Sequence, residues 1–177
     1  MDGFETLVAE ILEGEGFWIR RGVKVPLSKE EKHAINRPSS PRWEIDILAY
    51  DPCKNLLLAV ECKSFLDSPG VDLADLSGGR YAKRYKLFTE AGLRNVVFSA
   101  LKADFTARGL CREKPTIQLA LAAGNIRRDP AELRKHFETN GWLLFDVTWL
   151  KEKLKALSDG GYVNSVPAIV AKLLLRK

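Results

Sequence analysis

Trp43-Glu44-Ile45-Asp46-Ile47-Leu48-Ala49-Tyr50 and Leu56-Leu57-Leu58-Ala59-Val60-Glu61-Cys62-Lys63, separated by Asp51-Pro52-Cys53-Lys54-Asn55, decide how the rest of this 177-residue chain is read. Two aliphatic runs on either side of a cluster of turn formers predict an antiparallel hairpin. Its charges stand where a plain core strand would carry none. A turn symmetric about the Cys53–Lys54 bond sets Asp46 opposite Glu61 and Glu44 opposite Lys63. Side chains alternate across a strand, so Glu44, Asp46 and Leu48 share a face, and Glu61 and Lys63 share a face of the partner with Cys62 turned away. Directly opposed residues have Cβ atoms about 5 Å apart, and two carboxylates at that distance repel unless something positive lies between them. A divalent cation removes the conflict, with Lys63 as a further positive neighbour. A Glu44–Lys63 pair alone would be ordinary surface chemistry. Asp46, however, is embedded among Ile45, Ile47 and Leu48, and Glu61 and Lys63 close an aliphatic run. Buried charge of this kind is costly to keep for structure alone, and it points to a site.

At these residues the chain resembles the PD-(D/E)xK nuclease superfamily, in which one strand supplies an acid and the next supplies Glu-x-Lys, here Asp46 and Glu61-Cys62-Lys63. Glu44-Ile45-Asp46-Ile47-Leu48-Ala49 and Val60-Glu61-Cys62-Lys63-Ser64 are most similar to the branch containing archaeal Holliday junction resolvases and modified-DNA restriction enzymes. Ile45 stands where the name-giving proline would be. The resemblance implies an α/β fold with a mixed central β-sheet flanked by helices. Its restriction endonuclease-like core, in the order α-β-β-β-α-β, would occupy residues 1–125, with a C-terminal helical extension over 126–177. It also implies hydrolysis of DNA phosphodiester bonds with Mg²⁺ or Mn²⁺, held by Asp46, Glu61 and the backbone carbonyl of Cys62, and by Glu5 directly or through water. Glu5, Asp46, Glu61 and Lys63 are then the catalytic candidates, with Lys63 orienting the attacking water or stabilising the pentavalent phosphate. Glu44 is a supporting candidate behind them. Two other readings stay open: a nuclease-like fold kept only for binding DNA or a partner protein, and a small-molecule or RNA-processing enzyme on the same core.

Composition narrows the chemistry. The three cysteines, Cys53, Cys62 and Cys111, lack metal-ligand spacing and form no even set, which argues against a disulfide framework or a zinc module. With two histidines, His33 and His136, a multi-histidine metal site is not expected either, so any catalysis is expected to rest on carboxylates and lysine. A net charge of +5 and a sequence pI of about 9.1 favour a polyanionic partner, read here as double-stranded or branched DNA. No apolar run approaches the roughly 20 residues needed to cross a bilayer, and the amino terminus lacks a signal-peptide pattern, so a soluble, cytoplasmic protein is expected.

Phe4, Leu7, Val8, Ile11 and Leu12 recur at helical spacing and predict an amphipathic helix ended by Gly14 and Gly16. Glu5 lies at the border of its apolar stripe and is placed to reach inward, or else serves as a dipole-stabilising acid of the first turn. The Gly16-Phe17 pair and the strand after it, Phe17 to Val25, have the layout that the nuclease resemblance implies. Arg20, Arg21 and Lys24 flank that strand, and Arg20 and Arg21 are candidate DNA contacts. Residues 26–42 are polar and proline-rich without a core period, either a cover for a substrate backbone or a surface loop.

Beyond Lys63, a short helix is expected around Asp72 to Leu76, then a helix from Arg80 to Ala91 stopped by Gly92, and a buried strand over Asn95–Ala100. Strand, helix, strand in this order implies a crossover and a mixed sheet. Arg80, Lys83, Arg84 and Tyr85 interleave basic and aromatic groups and are the remaining DNA-contact candidates. Lys102–Cys111 reads as helix, and Thr116–Ala122 as a last strand or a short helix. Asp129-Pro130-Ala131-Glu132 starts a helix, Trp142–Phe145 forms a short strand, Thr148 caps a helix to about Ala156, and Ser165 with Pro167 opens a terminal helix to Leu175. Arg127, Arg128, Arg176 and Lys177 are further candidate phosphate contacts. Cleaving both strands calls for two sites, which favours a homodimer.

Overall fold

The computed structural model describes residues 2–39 and 42–176. Lys177, one of the candidate phosphate contacts, lies outside them, as do Ser40 and Pro41 of the polar segment.

The hairpin forms as its sequence dictates. Strand β2 (Trp43–Asp51) pairs antiparallel with β1 (Trp18–Val25) on one side and with β3 (Leu56–Lys63) on the other. Asp51 closes the turn by accepting the amides of Cys53 and Lys54 at 2.9 and 3.1 Å. The β2–β3 ladder runs from Asp51 opposite Leu56 to Ile47 opposite Val60. Strands β4 (Thr116–Ala123) and β5 (Leu143–Phe145) extend the sheet in parallel, giving the order β1-β2-β3-β4-β5. The fold is therefore α/β, with a five-stranded mixed sheet flanked by helices. The 116–122 segment, open between strand and helix on sequence, is a strand lying between β3 and β5. Leu119 to Ala123 are all buried, which is why its sequence shows no polar alternation.

Helix α1 (Gly3–Gly14) lies on one face of the sheet, where Phe4, Val8, Ile11 and Leu12 pack with Ile47, Ala49, Leu58, Val60 and Cys62. Asp2 caps it through the amide of Phe4. Between β1 and β2, helix α2 (Lys29–Ala34) interrupts the segment that sequence left without structure. Ser28 and Glu31 form a reciprocal capping box there, and Arg37 reaches Glu90 with a two-pronged ion pair at 2.7 and 2.9 Å.

The crossover differs from expectation. It contains α3 (Leu73–Leu76), a three-residue 3₁₀ turn (Ala82–Arg84), α4 (Lys86–Thr89) and α5 (Ala91–Ala107). The Arg80–Ala91 helix is thus broken into two short pieces, Gly92 sits in the first turn of α5, and Asn95–Ala100 is helix rather than strand. The inward residues of α5 are Leu93, Val97, Ala100, Leu101 and Phe105, a helical period that a β-branched pair in the middle of the run had masked. They pack on the second face of the sheet with Leu48, Tyr50, Leu57 and Ala59.

Helix α6 (Pro130–Thr139) starts as its sequence indicates, with Asp129 accepting the amide of Ala131 at 2.8 Å. Its Leu133 and Phe137 join the α5 face. Helix α7 (Val147–Asp159) is capped by Asp146, not Thr148. The Asp146 carboxylate accepts from the amide of Trp149 at 3.0 Å and from Arg134 Nε at 2.7 Å, whereas the Thr148 hydroxyl accepts from Arg134. Helix α8 (Val166–Leu175) packs on α7. Among the described residues no helix is long and apolar enough to cross a membrane.

Candidate active site

At the end of the hairpin, the regular alternation of side chains slips. Ile45 belongs to the layer under α5, whereas Ile47, two residues on, belongs to the layer under α1. Asp46 sits at the slip. Across from it on β1, between the pairs Arg21–Ile47 and Val23–Ile45, is Gly22 with φ of +57°, a left-handed backbone that L side chains rarely adopt. The same-face grouping of Glu44, Asp46 and Leu48 expected from strict alternation therefore gives way to a local twist. Glu44 registers with Lys24 of β1 and is exposed to solvent.

Where the β2–β3 ladder stops, the Asp46 side chain takes over. Its Oδ2 accepts the amide of Cys62 at 2.7 Å. A strand residue directs its N–H and its C=O to the same neighbour, so the Cys62 carbonyl faces the Asp46 edge too. The Cys62 thiol is buried on the α1 side, and burial pushes its pKa upward, keeping it an inert thiol.

Glu61 is the most strained group of the site. Its side chain is 14% exposed, its Oε1 is fully buried with no hydrogen-bond donor, and its Oε2 lies 3.7 Å from Lys63 Nζ. Burial raises its pKa to about 7, the Asp46 charge adds to the rise, and Lys63 opposes it. Glu5, in the first turn of α1, is raised for the same first reason, burial, followed by the Asp46 charge. Glu5 in turn raises Glu61. The four residues singled out from sequence, Glu5, Asp46, Glu61 and Lys63, thus converge from three elements on one electrostatically coupled place.

The donor set is all oxygen, which suits a hard divalent cation, and a buried carboxylate oxygen without a donor is the kind of group such an ion satisfies. Among the described residues no three His, Cys, Asp or Glu side chains already surround a common point at metal-binding distance. Magnesium needs only one or two carboxylates and keeps several waters. Asp46 and Glu61 meet that requirement, with Glu5 left to act through water.

Comparison with protein-family models, curated proteins and solved structures finds no match for this chain.

The basic candidates divide. Arg21 reaches the first turn of α1, where its Nη1 lies 3.4 Å from Thr6 Oγ1, close to Glu5 in sequence. Arg20 turns the other way and lies over the Phe105 ring of α5, so the structure does not bring it to the carboxylates. Arg80 and Arg84 both lie over the exposed ring of Tyr81, at 5.3 and 4.5 Å from its centroid. They line a cleft of about 550 Å³ together with Phe65, Asp75 and Arg127. Lys83 is exposed on the same turn. Tyr85 is 3% exposed and packs in the core, so Tyr81 is the aromatic ring presented to solvent here.

Two residues shaping the site escaped the sequence reading. Asp72 is buried, caps α3 through the amide of Ala74, and holds Arg128 and Arg127 at 3.5 and 3.9 Å. Gly124 follows β4 where its amide donates to the carbonyl of Lys63 at 3.0 Å. A methyl group at that position would overlap the Ser64 carbonyl. The end of β3, and with it Lys63, is therefore clamped to the end of β4. The Ala123-Gly124-Asn125 run carried a visible signal, a lone glycine closing an aliphatic strand.

Proposed function

We propose that the protein is a divalent-metal-dependent DNA endonuclease of the PD-(D/E)xK type, hydrolysing phosphodiester bonds at the Glu5, Asp46, Glu61, Lys63 site. The observation that carries this reading is Glu61, a buried carboxylate with one oxygen lacking any donor, beside an ammonium group and within the field of the Asp46 charge. Asp46, Glu61 and the Cys62 carbonyl would hold Mg²⁺ or Mn²⁺. Such an ion lowers the pKa of a bound water and neutralises charge on the phosphate. Asp46, kept in place by the Cys62 amide, orients its free oxygen. Lys63, already within reach of Glu61, supplies positive charge to a phosphate oxygen or positions the attacking water. As an ammonium it accepts no proton, so it is not the base. Arg80, Arg84 and Lys83 offer charge to neighbouring phosphates of double-stranded or branched DNA.

The test is incubation of the purified chain with linear, branched and modified DNA, with and without Mg²⁺ or Mn²⁺, beside the Asp46→Asn variant. Metal-dependent cleavage that the variant lacks supports the reading. No cleavage of any substrate by the intact chain counts against it.

A second reading is a nuclease-like module that binds DNA or a partner without cutting. It is favoured by the absence, among the described residues, of three carboxylates at metal spacing. Salt-dependent DNA binding, unaffected by Mg²⁺ and without cleavage, would select it.

A further inference from the structure

Helix α8 is amphipathic the wrong way round. Its buried residues are the small ones, Ala168 and Ala171, which lie against α7. Its large aliphatic side chains face solvent: Val166 is 71% exposed, Leu173 79% and Leu174 75%, with Ile169 and Val170 also open. At 3.6 residues per turn these five fall within one arc of about 140° on the side away from α7. None of the five is charged. The nearest amines are turned back into the α7–α8 hairpin. Lys172 donates to the carbonyls of Ser158 and Gly160, and Lys155 to Asp159 and the carbonyl of Leu175.

We propose that this face is the contact surface of a symmetric dimer, in which a second copy of the chain lays its own α8 against the first. Three features favour a second copy as the occupant. The spacing of Val166, Ile169, Val170 and Leu173 is that of a helix–helix seam, with apolar residues at intervals of three and four. A two-fold axis sets each patch against itself, and an uncharged arc does so without opposing like charges, although the whole chain carries +5. The area also fits: the five side chains expose on the order of 600 Å², and Tyr162 and Val163 just ahead of the helix add roughly 300 Å², against about 800 Å² per partner in a standard interface. A helix that lies on a lipid surface instead presents basic side chains along its polar edge, whereas the one lysine within α8, Lys172, is bound to carbonyls of the α7 end and Arg176 stands beyond the helix at its C-cap.

Sedimentation velocity on the full chain between micromolar and 100-micromolar concentration tests the proposal. The expected species has twice the 19.8 kDa mass of one chain. Leu173→Ala should raise its dissociation constant ~10-fold or more, as truncating a central apolar anchor does. Leu173→Glu should give a folded monomer with an unchanged circular-dichroism spectrum, because that side chain is exposed in the single chain. Leu174→Gln gives the same reading should the glutamate cost the fold. Lys135→Glu, on the exposed side of α6, should remain dimeric. A wild-type monomer throughout the range, a dimer that survives Leu173→Glu, or a monomer that co-sediments with phosphatidylcholine vesicles would each overturn the proposal. None of these outcomes depends on whether the chain cleaves DNA.

Discussion

The amide of Cys62 donates to Asp46 Oδ2 at 2.7 Å, so a carboxylate makes the last rung of the β2–β3 hairpin once regular pairing has ended at Ile47 and Val60. One side chain therefore serves strand pairing and the proposed metal site together, and substitutions can separate the two roles. Asp46→Asn keeps an oxygen that accepts the Cys62 amide and removes the charge that disfavours ionisation of Glu61 and Glu5. Its stability should equal or exceed wild type, while Mn²⁺ binding and cleavage are lost. Asp46→Ala removes the acceptor as well and should cost about 1.5–3 kcal/mol in chemical denaturation, the usual worth of a hydrogen bond to a charged group.

Stability should fall as pH rises through the range where Glu61 titrates. The carboxyl goes from an ordinary 4.5 in the unfolded chain to about 7 in the fold, so the folded state holds the proton more tightly. Below the unfolded value both states are protonated and the fold pays nothing for this group. Between 4.5 and 7 the unfolded chain releases the proton first, and stability drops until the folded group ionises too, by on the order of 3 kcal/mol in all. Glu61→Gln should remove most of that slope; Glu5, raised in the same direction, leaves a remainder. Urea denaturation of both proteins across this pH range measures it. Added Mg²⁺ should stabilise wild type above pH 7 and leave Glu61→Gln unmoved.

Gly22→Ala should destabilise the protein by about 1–2 kcal/mol, since φ there is left-handed and a Cβ would stand 3.3 Å from Glu44 Oε1. Because Gly22 lies across from the slip at Asp46, metal affinity should weaken along with stability. Gly22→Ala in an Asp46→Asn background then shows the stability loss alone. Thermal unfolding and Mn²⁺ titration of the three variants check this.

Arg84→Ala and Tyr85→Ala should fail differently. The exposed arginine, stacked on Tyr81, should leave unfolding unchanged and reduce the salt dependence of DNA binding by about one unit of slope. Removing the buried tyrosine ring should cost about 3 kcal/mol or more of stability, and Tyr85→Phe should restore most of it. Binding isotherms at several salt concentrations, beside denaturation curves, tell the two apart.

The hairpin and the places of Asp46, Glu61 and Lys63 on it were legible because turn chemistry and a two-residue period leave few alternatives for most of residues 43–63. The crossover was not, for a physical reason. Val96-Val97-Phe98 has strand-like composition, yet the residues that matter are Leu93, Val97, Leu101 and Phe105, spaced for one face of α5 and visible only over a longer window. Strand β4 misleads in the opposite sense: its Ala-rich tail has helical propensity, overridden by burial between β3 and β5. Ser28 and Glu31 carry the capping-box signal for α2, hidden within a polar 26–42 stretch that has no core period. Tyr85 looked like a stacking platform because sequence shows an aromatic among arginines and does not show which ring is buried. The orphaned Glu61 oxygen had no signature at all, since it depends on how α1 covers the end of the sheet.

The junction of Gly124 with Lys63 and Ser64 also reaches further than its own neighbourhood. The ammonium group of Lys63 hangs from a backbone whose aim is set by a residue distant in the chain and devoid of functional groups. A variant bearing any side chain at 124 would keep every reactive group intact and still swing the lysine out of line, so damage at this joint would look like a chemical defect while being one of carpentry.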